Sequence, residues 1–93
     1  MDFSAELKKH YPEEYPEIAA IFAKHDPLDL RTYDLEIFSL FSFLQKEKDQ
    51  ESIFKHLLEI FQESFSEETI RGQEKTKLKK IAADIAAFYE NRP

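Results

Sequence analysis

A single glycine, Gly72, and a single asparagine, Asn91, serve a chain of 93 residues that also contains no valine and no cysteine. Tight β-hairpins place Gly or Asn at positive φ, so a chain with two such residues cannot turn between many strands. Helices are what remain. Nine Phe, nine Leu and eight Ile give 26 large apolar side chains. That number is enough for one core, and the length fits one domain over residues 1–93. The expected fold is all-α, a bundle of four main helices with a short N-terminal helix. Neighbouring helices should run antiparallel where the loops are short.

The helices can be placed from the apolar spacing and the breakers. The pair Tyr11-Pro12-Glu13-Glu14 and Tyr15-Pro16-Glu17-Ile18 suits helix initiation, because proline is tolerated where its missing N–H has no helical partner. Both prolines cannot open one helix, so we expect a short helix near Ser4–His10, a turn, and a helix from about Pro16. Ile18, Ile21, Phe22 and His25 fall on one side of it, and Asp26-Pro27 stops it. A second main helix starts near Thr32 to Asp34. Its apolar residues Leu35, Ile37, Phe38, Leu40, Phe41, Phe43 and Leu44 surround the axis instead of forming a stripe. Such a helix is either central in its own fold or covered by a partner, and Leu35 and Phe43 lie farthest from the main apolar face. Lys46 and Lys48 suit its negative end, and Asp49 is placed to cap the third helix, about 50–64. That helix turns Ile53, Phe54, Leu57, Leu58, Ile60, Phe61 and Phe65 inward, with i,i+4 pairs from Glu51 to Lys55 and from Lys55 to Glu59 outside. Ser64 and Ser66 are candidate caps for a fourth helix over 67–89, and Ser64 with Glu67 has capping-box spacing. Gly72 is its weak point, so it bends there or begins only near Glu74.

Nineteen acidic residues against thirteen basic ones give a net charge of −6. This disfavours sequence-independent binding to nucleic acid, which depends on Lys and Arg displacing counterions. The charge is divided: residues 1–70 hold 16 acidic and 7 basic side chains (net −9), while residues 71–93 hold 3 and 6 (net +3). The basic end includes Lys75, Lys77, Lys79 and Lys80. No apolar run reaches the roughly 20 residues of a membrane span, and the N-terminus lacks the basic and apolar regions of a secretory signal. A cytoplasmic protein with no membrane partner is expected.

Without cysteine there is no disulfide framework, thiol nucleophile, zinc ribbon or iron–sulfur cluster, and one glycine makes no phosphate loop. The histidines at 10, 25 and 56 and the carboxylates are the remaining reagents. No two histidines share metal-ligand spacing on one helix. His25, Asp26, Asp29, Asp34 and Glu36 cluster in sequence like oxygen ligands around one imidazole, although the glycine and regular acidic spacing of a calcium loop are missing. No catalytic, cofactor-binding or metal-binding residue is assigned. Tyr11, Tyr15, Tyr33 and Tyr89 fall at helix ends, where ring and hydroxyl can each be satisfied.

With Asp26-Pro27, Tyr33-Asp34 with Glu36-Ile37, Ile60-Phe61 with Ser64-Phe65 and Glu67, and Ile81-Ala82, the chain resembles the YugE-like family over about residues 26–88. That is a family of small uncharacterised bacterial helical proteins. His25 stands where the family pattern has a tryptophan. The resemblance implies a compact helical bundle of bacterial origin and brings neither an activity nor a catalytic residue.

The expected function is therefore that of a non-enzymatic protein–protein interaction module. It could take the form of a homodimer, an acidic immunity-like or antitoxin-like protein, or an adaptor. Its surface should centre on Leu35, Ser39 and Phe43, or on the acidic face Glu59, Glu63, Glu67 and Glu68. The competing expectation is a metal- or ligand-binding protein built on the 25–36 cluster. Nucleic-acid binding through the lysines at 75–80 ranks behind both.

Overall fold

A computed structural model of the chain describes residues 3–28, 33–66 and 68–91. They form five helices, α1 (Phe3–His10), α2 (Glu14–His25), α3 (Asp34–Leu44), α4 (Gln50–Phe65) and α5 (Gln73–Glu90), and no strand occurs among the described residues. The chain is all-α, with four main helices and a short N-terminal one.

The four main helices close a ring. α3 packs on α4, α4 on α5, α5 on α2 and α2 on α3, while α1 lies across α2 and α3. Glu14 at the start of α2 meets Tyr89 at the end of α5, and Asp26 just after α2 meets Lys77 near the start of α5. α2 and α5 therefore run antiparallel.

The ring is filled by the apolar face of each helix. Ile18 and Phe22 from α2, Ile37, Leu40 and Leu44 from α3, Ile53, Leu57 and Phe61 from α4, and Leu78, Ile81 and Ile85 from α5 are all buried. At the centre the rings of Phe22, Tyr33 and Phe61 meet with centroids 5.8 to 6.4 Å apart. Those separations lie in the attractive range for offset or tilted aromatic pairs. α1 contributes Leu7 to the same core, and Tyr11 just after it stacks on Phe41 at 4.2 Å.

Most helix ends follow from local chemistry. Asp49 accepts the Ser52 amide at 3.0 Å and caps α4 as expected. That bond and the Ser52 hydroxyl hold its carboxyl below the usual range. α2 ends at Asp26, which adopts the left-handed conformation (φ 43°) ahead of the buried Pro27. Its start differs: α2 begins at Glu14, two residues before the expected Pro16. Proline is accepted at this third helical position because the first four N–H groups of a helix have no partner inside it.

The turn between α4 and α5 also differs. Ser64 belongs to α4, and Glu67, its expected capping partner, lies outside the described residues; Ser66 ends α4 at φ 85° with its hydroxyl 3.1 Å from that of Thr69. Residues 68–72 form a turn that buries Ile70, so of the two expected starts the fourth main helix takes the later one, opening at Gln73 just past Gly72 and not at 67. Gly72 sits at φ 56°, ψ −114°, a conformation that disfavours a Cβ. Lys46 lies in the turn after α3, and Lys48 extends over the Tyr89 ring at 5.4 Å instead of facing the end of α3.

Candidate interaction surface

α3 is the one helix whose solvent side lacks charge. Leu35, Phe38, Ser39 and Ser42 recur at i, i+3, i+4 and i+7, and all four are exposed. Leu35 is 50% and Phe38 38% accessible, the two exposed large apolar side chains among the described residues. The all-round apolar character of α3 thus divides. Ile37, Leu40, Phe41 and Leu44 serve the core, and Leu35 and Phe38 stay partly exposed.

Phe43 does not join them. It is half-buried and stacks face to face on His56 of α4 at 4.2 Å, which turns it toward the neighbouring helix. Phe38 takes the outward position instead. Its spacing of three from Leu35 and four from Ser42 is the sequence signal that would have placed it there.

Glu59, Glu63 and Glu68 are exposed, and Glu59 reaches His56 at 3.8 Å rather than Lys55, which pairs with Glu51 at 3.6 Å. Glu67 lies outside the described residues.

The 25–36 group is taken apart by the fold. His25 Nε2 lies 2.7 Å from Asp84 Oδ2 of α5, a partner 59 residues away. Asp26 accepts the Tyr33 hydroxyl, and that hydroxyl in turn accepts the Leu28 amide at 3.2 Å. Asp34 accepts the Tyr15 hydroxyl at 2.7 Å. Asp29 lies outside the described residues. Glu36 is the one buried charged residue among those described. Burial pushes its carboxyl above the ordinary value and Asp34 adds to the rise, while its own backbone amide opposes it. Among the described residues no three His, Asp or Glu side chains gather as a metal site requires.

These partners convert a sequence cluster into three separate ties. His25–Asp84 holds α2 to α5, Tyr15–Asp34 holds α2 to α3, and Tyr33–Asp26 braces the chain leaving α2. The residues that carry the family resemblance at 26–34 are thus occupied structurally. Comparison with protein-family models, curated proteins and solved structures gave no match. What the molecule offers to a partner must be read from its own surface. On that surface, no helix is long and apolar enough to cross a membrane among the described residues.

Proposed function

We propose that the protein is a non-enzymatic protein–protein interaction module that self-associates through the outer face of α3. The observation that carries this reading is the half-exposed Leu35 on an uncharged helical stripe, in a chain of which 34% of residues are charged. A second copy is the occupant that the charge favours. Two molecules of net charge −6 repel one another across most approaches, and a face without charge lets them meet with the least repulsion. A two-fold contact between α3 helices buries the same patch on both copies.

The patch is small. A standard interface buries about 800 Å² per partner, so association through Leu35, Phe38 and Ser39 belongs to the weak, concentration-dependent class. The non-enzymatic half of the reading rests on the sequence, which offers no thiol nucleophile and no glycine-rich phosphate loop. It agrees with a place in the YugE-like family, whose resemblance brings no activity.

Sedimentation equilibrium across a concentration series tests the proposal. The average mass is expected to rise from 11.0 kDa toward twice that value, and Leu35→Glu to hold it at the monomer. Wild-type protein that stays monomeric at the highest concentration, or a variant that associates like wild type, overturns it. A cationic partner would be drawn instead to Glu59, Glu63 and Glu68, and that association would weaken with salt and survive Leu35→Glu.

A further inference from the structure

The outer side of the α4/α5 pair holds a groove of about 710 Å³. Its lining includes Glu51, Phe54, Lys55 and Leu58 of α4 together with Lys75 and Lys79 of α5. Three features set it apart. Phe54 and Leu58 are both half-buried, so an apolar strip remains open to solvent. The groove carries three of these lysines against Glu51, which is already matched to Lys55 at 3.6 Å. No ion pair among the described residues involves Lys75 or Lys79, even though the molecule has an excess of carboxylates. Lys79 instead lies over the Phe54 ring at 5.6 Å, its charge held above the apolar strip.

The spacing is as informative as the charge. Phe54 and Leu58 stand four residues apart on α4, and Lys75 and Lys79 stand four apart on α5. Each pair repeats at about 6 Å along its helix, the rise of four residues. A ligand whose own groups recur at i and i+4 matches both rows together. The groove is only partly enclosed, whereas small-molecule sites bury 70–90% or more of their ligand.

We infer that this groove docks an acidic amphipathic helix of a partner protein. Two apolar residues at i,i+4 of that helix rest on Phe54 and Leu58, and flanking carboxylates meet Lys75 and Lys79. The Lys79 ammonium gains a carboxylate while keeping its place above the Phe54 ring. The groove is built by α4 and α5 alone, so it stands or falls independently of self-association through α3.

The test is titration of isotopically labelled protein with a designed helical peptide carrying leucines at i,i+4 flanked by glutamates. Controls are a scrambled peptide and one with lysines replacing the glutamates. Amide shifts are expected to concentrate at residues 50–58 and 75–79, to weaken at high salt, and to be unaffected by Leu35→Glu. Lys75→Glu with Lys79→Glu is expected to weaken binding at least tenfold while leaving the circular dichroism melt in place, since both lysines are exposed. Phe54→Leu, which keeps the core side apolar, is expected to weaken binding less. No shift at millimolar peptide, or equal binding of the scrambled or lysine peptide, overturns the inference. Tighter saturation of the same residues by octanoate or by an oligonucleotide overturns it as well.

Discussion

Glu36 is the residue at which the fold works against its own charge. Burial raises its carboxyl above the ordinary value of 4.5, so the folded state holds the proton to a higher pH than the unfolded chain does. Below 4.5 both states are protonated and the side chain costs nothing. As pH rises through the window above 4.5 the unfolded chain ionises first, and stability falls until the folded carboxyl has ionised too. Glu36→Gln is expected to melt higher than wild type near neutral pH, with the difference closing as pH drops toward 4. Parallel melting curves at every pH would show that Glu36 carries no such penalty. Nothing local marks Glu36 for burial, because it sits beside Asp34 in the acidic first turn of a helix, where carboxylates are favourable in water. Asp49 is the opposite case: its cap was legible because donor and acceptor lie three residues apart. His25 and Asp84 were not legible as a pair, since 59 residues separate them and neither has a local partner that predicts the other.

At the level of elements, the existence of every helix was readable from apolar spacing, proline position and the scarcity of glycine. The errors fall where backbone conformation competes with capping chemistry. Ser64 with Glu67 has the spacing of a cap, yet Ile70 finds a buried position only if the chain turns first, and α5 then starts beyond Gly72. Gly72→Ala meets no steric neighbour, since no atom lies within 4 Å of the added Cβ, so its cost is conformational alone. With φ at 56° and ψ at −114°, a loss of about 1–3 kcal/mol is expected in denaturant unfolding. A neutral or stabilising result would mean that residues 68–72 rearrange to accept alanine. α3 shows a different limit. Its surplus of apolar residues was plain, but which of them face outward depends on where α4 lies, and Phe43 went to His56 while Phe38 did not go inward.

Across the whole molecule Glu59, Glu63 and Glu68 are open to solvent, while Lys75 and Lys79 from the basic end of the chain line the α4/α5 groove beside Glu51 and Lys55. His25 and Asp34 are drawn into ties between helices and Asp26 braces the chain after α2, which leaves no preformed cation cage among the described residues. A ligand bound only by the folded state must raise apparent stability. The melting temperature is accordingly expected to stay within error on adding millimolar magnesium, manganese, calcium or zinc, and a rise of several degrees with one of them would restore the metal reading.

The contact between α2 and α5 has a further consequence for a chain made from its N-terminus. Glu14 is joined to Tyr89, and His25 to Asp84, so the ring of four helices has no closing member until its last helix is available. Until residues 73–90 dock as a helix, Ile18 and Phe22 lack the wall that α5 supplies, whatever the other helices have formed. A chain in which α5 is undocked therefore leaves an apolar trough uncovered, and this helix acts as the latch that closes it.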